Sequence, residues 1–512
     1  MLFGDDFLKK SLKSFVAASL TSAICLMCFS GCSNKSGEDN SSISNSTKKD
    51  YDIFVYNADP DIGTSFRAMC DEYTKRTGVI IRTVTPTEEK NTLENLESYI
   101  NSDHPPDIFT VNNLSELKKW KDESTVWDFS NATEESFKKV VNSIPDSLRL
   151  SSNTSDSFGL PYSTEGYGFV VDPKMISSLF GGEKHRSAQN DLKNCSYMEF
   201  KSMIVALNAY INNNTIVSFK LNKKDYSFAG AKGELSRKLT GVFSLSGGET
   251  KNFGRYLPNI ALSAIFRSAA FTNIATEIKI DQCAEPFLKF TEALDIITSY
   301  VSGNYYSISR GAEFISNSKN STTQAMKNFV NGKSLFLLAS TQDYKNLATF
   351  NSLVAKRCVF IPIKMDFDSD DIISSTDIAK NMYRSIPVYA PKYYCINAKS
   401  SDKEKKAAQD FLTWVQTSDL AQKYIISEFG FTPYDIKESS VINNPLSRSM
   451  IEYLNEGNTL PDVTAGMPDE WCENAFGKNI IDQYLTKISW SRNDYKKISD
   501  YGVYKWKELI NK

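Results

Sequence analysis

Between Asp52 and Val111 the chain alternates strand and helix signals in an order that leaves few folds open. Ile53-Phe54-Val55-Tyr56 reads as a short strand. Phe66, Met69, Cys70 and Tyr73 then recur at i, i+3, i+4 and i+7, the apolar face of a helix that Thr77-Gly78 closes. Val79 to Val84 is a second strand, and Leu93, Leu96 and Ile100 mark a second helix. Pro105-Pro106 stops that helix before a third strand, Asp107 to Val111. Strands separated by helices do not close tight hairpins, so the rhythm predicts a parallel α/β sheet. Open parallel sheets take their ligands beyond the carboxyl ends of the strands, which directs attention to Asn57-Ala58-Asp59 and Asn112-Asn113.

Later segments keep the mixed character. Phe287, Phe290, Leu294, Ile297 and Val301 form a helical face, and a shorter helix ends at Met326, Phe329 and Val330. Strand-like runs follow at Ser334 to Ala339, Cys358 to Pro362 and Tyr393 to Ile396. A last clear helix turns Ala407, Ala408, Phe411, Leu412 and Val415 inward. Two stretches break the pattern. Asn212 to Gly254 is polar and Gly-rich, and Met365 to Asn381 is acidic and Ser-rich, which predicts a surface loop. A body running from Tyr51 to Lys512 is too long for one ordinary core and suits two lobes.

The first residues read as an export signal. Lys9, Lys10 and Lys13 precede an apolar run, Phe15 to Phe29, that closes on Ser30-Gly31-Cys32. That run is short for a membrane span, which wants roughly 20 residues. The small-small-Cys ending resembles the bacterial lipobox, although Phe29 stands where that motif usually has Leu. It implies lipidation at Cys32; the alternative is an uncleaved N-terminal anchor helix. Residues 33–50 carry one aliphatic residue, Ile43, too little apolar surface to offset the entropy of ordering, and so form a tether. Lys and Arg number 59 against 61 Asp and Glu, a near-neutral balance without the basic footprint of a nucleic-acid binder. Six cysteines of the body, Cys70, Cys195, Cys283, Cys358, Cys395 and Cys472, are scattered singly, so buried thiols and bridges both stay open. His104 and His185 lack metal-ligand spacing, and no metal or cofactor is expected.

The order of segments resembles the family 1 extracellular solute-binding proteins of ABC importers, the group that includes maltose-binding protein. The stretches that carry the resemblance are Tyr73-Thr74-Lys75-Arg76-Thr77-Gly78-Val79, Pro106-Asp107-Ile108-Phe109 and Phe158-Gly159-Leu160-Pro161-Tyr162. To these are added Tyr167-Gly168-Phe169-Val170-Val171-Asp172, Phe329-Val330-Asn331-Gly332-Lys333 and Phe411-Leu412-Thr413-Trp414-Val415. Each alone is a weak motif, and their order and spacing make the match. The resemblance implies a two-lobed α/β fold of the periplasmic-binding type, each lobe a mainly parallel sheet flanked by helices. Lobe one would comprise 51–164 and 392–433, and lobe two 165–391 with a C-terminal helical part, 434–512. It further implies a monomer tethered to the outer face of the cytoplasmic membrane. Hinge closure over a mono- or oligosaccharide would present a shape that an ABC permease distinguishes from the open one.

Sugar recognition needs aromatic faces and a few polar side chains. Candidates on lobe one are Tyr56, Asn57, Asp59, Asn112 and Asn113. Thr164, Glu165 and Tyr167 stand at the first crossing, where the resemblance implies a polar contact. Ser246, Gly247 and Gly248 offer a backbone loop on lobe two; Ser340, Thr341 and Gln342 follow a strand, and Trp471 offers a stacking face. Each has a plain structural reading beside it. Asn and Asp cap turns and helices, Glu165 suits a hinge ion pair, Tyr167 suits the core, Gly247-Gly248 suits a tight turn, and Trp471 suits packing. The cleft tryptophans of maltose-binding protein are not reproduced, which argues against a long malto-oligosaccharide.

Two other functions compete. A glycosidase would set two carboxylates such as Asp59 and Glu165 across a cleft, but the chain shows no nucleophile elbow and no phosphate-cradling loop, and has only two histidines. A lipid-anchored sensor or adhesin of the same fold without a transporter is the second.

Overall fold

The computed structural model describes residues 49–87, 92–181, 184–301, 310–316, 321–436 and 439–512. The expected signal segment, Cys32 and nearly all of the tether lie outside them. Residues Asp50–Lys512 form one compact unit. Among the described residues no helix is long and apolar enough to cross a membrane.

Strands β1 (Ile53–Tyr56), β2 (Ile81–Val84), β3 (Ile108–Val111) and β4 (Leu160–Pro161) come first in the chain. The long β5 (Glu165–Val171) follows, then a small hairpin of β6 (Phe219–Leu221) and β7 (Lys224–Tyr226), and then β8 (Phe243–Ser244). The remaining strands are β9 (Phe336–Ser340), β10 (Val359–Ile361), β11 (Ile386–Tyr389), β12 (Tyr393–Ile396) and β13 (Thr459–Leu460). They build two open sheets, ordered β2-β1-β3-β12-β4 and β13-β11-β5-β9-β8, with β10 also paired to β5.

In the first sheet β1 lies between β2 and β3, parallel to both, as the alternating rhythm predicts. The helix Gly63–Thr77 returns the chain from β1 to β2 and buries Phe66, Met69, Cys70 and Tyr73. Gly78 ends it at φ 77°, a left-handed angle that glycine adopts without a Cβ clash, and donates its N–H to Thr74 O at 2.8 Å. Buried Asp107 fixes the register, its Oδ2 accepting from Phe54 N at 2.8 Å.

In the second sheet β5 runs antiparallel to β9, β10 and β11 and is buried along its whole length. The chain passes between sheets at Pro161–Glu165 and again at Tyr389–Tyr393. Phe429 and Phe431 still pack on Phe66 and Tyr162 beneath the first sheet, whereas the helix Pro445–Asn455 packs on β5, β10 and β11. Thr164 ties two of these passages together, N and Oγ1 both donating to Thr432 O at 2.7 and 2.9 Å.

Both irregular stretches are structured. Within 212–254 the hairpin turns at Asn222 and Lys223, both at positive φ, and is held by buried Asp191, which accepts from Asn222, Lys224 and Tyr226. Met365 to Asn381 is not a loose surface loop: Met365, Ile372 and Ile378 are buried, and Thr376–Asn381 is a helical turn capped by Ser375. Asp366, Asp368, Asp370 and Asp377 are exposed and Asp371 pairs with Lys289, while Ile372 and Ile378 reach the core. All six body cysteines are free and buried.

Candidate functional site

A cavity of ≈ 350 Å³ opens between the two sheets. One wall belongs to the first sheet: Asn112 and Asn113 follow β3, Arg149 to Ser151 precede β4, and Tyr393 begins β12. The other belongs to the second: Glu165 and Tyr167 on β5, Tyr389 on β11, Gln342 beyond β9, and Asp462, Thr464 and Ala465 beyond β13. Lys251, Arg255 and Tyr256, from the helical turn Asn252–Tyr256 and the residue before it, complete this wall. The site therefore lies at strand ends, where the backbone runs out of sheet partners and side chains converge.

Glu165 is the hub of the second wall. Its carboxylate accepts from Tyr389 Oη at 2.7 Å and from Gln342 Nε2. Burial pushes its pKa above the ordinary carboxylate value, against the pull of those two donors and of the Lys251 charge. Burial and the Glu165 charge together drive the Tyr389 phenol well above its usual value. Lys251 loses solvation here, yet Tyr256, Glu165 and Asp343 more than compensate and raise its pKa, so it is a cation at neutral pH.

Aromatic rings form the floor. Tyr167 and Tyr256 stack with centroids 4.0 Å apart and planes 17° from parallel, and Tyr167 Oη donates to Tyr256 O at 3.1 Å. Lys251 Nζ lies 4.7 Å above the Tyr256 ring. Arg255 is held by Glu473 at 3.3 Å and Asp469 at 3.7 Å. Three cations (Arg149, Lys251, Arg255) face three carboxylates (Glu165, Asp462, Glu473), so the lining is balanced in charge.

The first wall is sparser. Asn112 donates from N and Nδ2 to Glu116 Oε2 at 2.8 and 2.9 Å, and Asn113 Oδ1 caps the helix Leu114–Asp122 by accepting from Glu116 N. Ser151 is buried, and its Oγ has no hydrogen-bond partner among the described residues. Such a group gains most from a polar ligand atom.

Of the expected contacts, the structure brings Asn112, Asn113, Glu165, Tyr167 and Gln342 to this cavity. The others sit elsewhere. Tyr56 is core, its hydroxyl donating to Thr92 O. Asn57 is fully buried with Nδ2 on Asp59 O, and Asp59 pairs with Lys392 at 3.4 Å, so Asp59 and Glu165 do not form a carboxylate pair across the cavity. Thr164 braces the crossing. Ser246 lends its carbonyl to Asn252, and Gly247 lies so close to Phe314 O that a Cβ would approach to 2.3 Å; neither these nor Gly248 line the cavity. Ser340 is engaged with Asp343, and Thr341 Oγ1 accepts from Gly166 N. Trp471 is corrected from platform to core: it is fully enclosed among Phe287, Phe476 and Trp506, with Nε1 donating to Gly502 O at 2.8 Å. Sequence reasoning missed Arg149, Ser151, Lys251, Arg255, Tyr256, Tyr389, Tyr393 and Asp462. Tyr393 opens a strand that the sequence declares, and Tyr389 and Asp462 follow the strand-end rule once β11 and β13 are recognised; the other five carry no local signal. Among the described residues no cluster of three or more His, Cys, Asp or Glu side chains is arranged to hold a metal ion.

Two open α/β sheets, joined by crossings and facing one another over a polar, aromatic-floored cleft, define a two-lobed binding protein. The chain belongs to the bacterial extracellular solute-binding proteins, whose family pattern it matches over residues 68–436. It is thus of an extracytoplasmic class, similar to the family 1 and maltodextrin-binding groups. Similar solved structures include the apo-form of RafE from Streptococcus pneumoniae (12% identity, 89% of this chain and 97% of that one, TM-score 0.57). The solute receptor AcbH, described as having an exclusive substrate preference for β-D-galactopyranose, matches at 10% identity over 89% and 97% with TM-score 0.55. A cyclo/maltodextrin-binding protein complexed with maltotetraose matches at 13% identity over 91% and 98% with TM-score 0.51. At such identities the likeness speaks for the fold. Comparison with curated proteins by sequence finds no match.

Proposed function

We propose that this chain is a lipoprotein anchored through Cys32, which captures an uncharged carbohydrate between its lobes and delivers it to an ABC permease. The lobes would be 51–164 with 392–433, and 165–391 with 434–512. The carrying observation is the chemistry of the cleft: a stacked tyrosine floor, hydrogen-bonding side chains from both sheets, and three positive charges offset by three negative. Tyrosine faces suit sugar C–H surfaces, amides and hydroxyls suit its O–H groups, and a balanced lining gives no advantage to an anion or a cation. Two of the similar structures are described with sugars, β-D-galactopyranose and maltotetraose, which supports the same ligand class. The cleft serves capture rather than turnover, because Glu165 is committed to Tyr389 and Gln342 and Asp59 to Lys392.

Thermal unfolding against a panel of saccharides, amino acids and polyamines tests the ligand class. A sugar at a hundredfold excess over its Kd stabilises the protein by about 2.7 kcal/mol. A shift from amino acids or polyamines alone would rename the ligand, and no shift from any of them would favour a transporter-free role. Incorporation of labelled palmitate, lost in Cys32→Ser, tests the anchor.

A further inference from the structure

One end of the cleft is covered by two segments of the second lobe that pack against each other by their backbones. The short helix Ala269–Asn273 and the turn Val463–Gly466 meet so closely that a Cβ on Gly466 would lie 1.9 Å from Ala269 O. Only glycine permits that approach. The turn is firmly founded. Asn259, fully buried, donates to Pro461 O at 2.9 Å and accepts from Val463 N at 2.8 Å, which pins the turn to the helix beneath it. At the C-terminal end of that helix, Leu257–Leu262, Ile373 and Ser374 donate their N–H groups to Ala264 O and Ser374 Oγ donates to Ser263 O at 2.6 Å. The acidic, Ser-rich stretch that interrupts the sequence pattern is therefore tied to the end of the helix that carries Asn259.

The cover also reaches the first lobe. Ala269 packs against the core cluster of Leu114, Trp120 and Tyr393, the turn Val463–Gly466 packs against the helix Leu114–Asp122, and Asn273 Nδ2 donates to Ser152 O at 3.3 Å. Ala269, Thr464 and Ala465 form part of the cavity wall itself. A cavity of ≈ 350 Å³ is at the small end of ligand sites, which span roughly 300–1,000 Å³.

We propose that residues 268–273 and 462–466 form a cap that closes this end of the cleft and limits the ligand to one or two sugar rings. A longer chain would have to displace backbone packed against backbone. The size limit rests on the carbohydrate reading above; the docking of the cap on the first lobe does not.

The test uses the full chain in detergent and has two arms. In the first, Cys25, Cys28 and Cys32 are replaced by serine, which leaves six buried thiols, and Asn273→Cys is combined with Ser152→Cys. A short bifunctional thiol reagent is expected to join the two new cysteines and to leave each single variant uncrosslinked; failure to join them overturns the cap, whatever the ligand. In the second, calorimetry follows a ladder from mono- to tetrasaccharide of the sugar that shifts unfolding. The mono- or disaccharide is expected to bind at least about tenfold more tightly than the tetrasaccharide. Gly466→Ala, or the milder Asn273→Ala, is expected to narrow that gap. Equal binding along the ladder overturns the size limit while leaving the carbohydrate reading intact, and binding of no saccharide overturns the carbohydrate reading and the size limit drawn from it, with the cap then resting on the first arm.

Discussion

The two walls of the cleft are built differently. On the second sheet the lining side chains are bound to one another: Glu165 to Tyr389 and Gln342, Tyr167 to Tyr256, Arg255 to Glu473. On the first sheet Asn112 and Asn113 are occupied with their own helix, and Ser151 Oγ is left open. A pre-organised wall loses little entropy when it meets a ligand, whereas a wall with an open polar group is completed by one. On the proposed function, the contrast would give the lobes unequal parts: the second would hold the ligand in a fixed geometry, and the first would add the contact that makes closure favourable.

The largest test of this contrast is Tyr167→Ala. Removing a buried ring from the stack should destabilise the free protein by about 3–5 kcal/mol, measured by chemical denaturation. A loss under about 1 kcal/mol would show that the second wall is not a packed unit. Next comes the question of whether the rigidity of that lobe depends on the cleft at all. Lys364, buried and not among the residues lining the cavity, donates to Lys193 O at 2.6 Å and to Tyr383 O at 2.5 Å, and burial brings its pKa down to about 8. Its folded pKa lies below its unfolded one, so the unfolded state holds more protons between those values. Stability is therefore expected to rise as pH goes from about 8 toward 10, on the order of 3 kcal/mol in full. Tyrosines with raised pKa values oppose this at the alkaline end, so the readout is the difference from Lys364→Met, in which this slope should vanish.

Smaller effects separate the walls directly. Glu165→Gln should weaken the ligand by roughly 1–2 kcal/mol in calorimetry, because one of two donors loses its charged acceptor. The free variant should gain stability relative to the parent as pH rises through the raised Glu165 pKa, since a carboxyl whose folded pKa is raised is most stabilising below its unfolded value. Ser151→Ala should cost about 1 kcal/mol of ligand affinity and change the unfolding midpoint of the free protein very little, as its hydroxyl has no protein partner to lose. If Ser151→Ala unfolds the protein instead, the first wall is as pre-organised as the second and the contrast fails.

Much of the first sheet was readable from the sequence because its elements are local: helix faces at 66–73 and 93–100 and strands 53–56 and 108–111 each declare themselves within a few residues. Asn112, Asn113 and Glu165 could be named because they follow or begin such strands. Arg255 and Tyr256 could not. They sit on a helical turn inside a stretch without periodicity and reach the cleft only because Tyr167 stacks on Tyr256 from a strand nearly ninety positions away. Trp471 misled for the complementary reason. Composition shows that a tryptophan is present, not that Phe287, Phe476 and Trp506 will enclose it. The acidic 365–381 stretch looked solvated because its apolar residues are few, yet Met365, Ile372 and Ile378 reach the core.

The six enclosed thiols have a practical consequence for how this protein is made. A chain whose native state contains no crosslink among its described cysteines needs no oxidant, no isomerase and no shuffling step to reach it. Its folding rate and its unfolding midpoint should be the same with or without dithiothreitol, and it should mature equally well in surroundings that are airy or strictly anoxic.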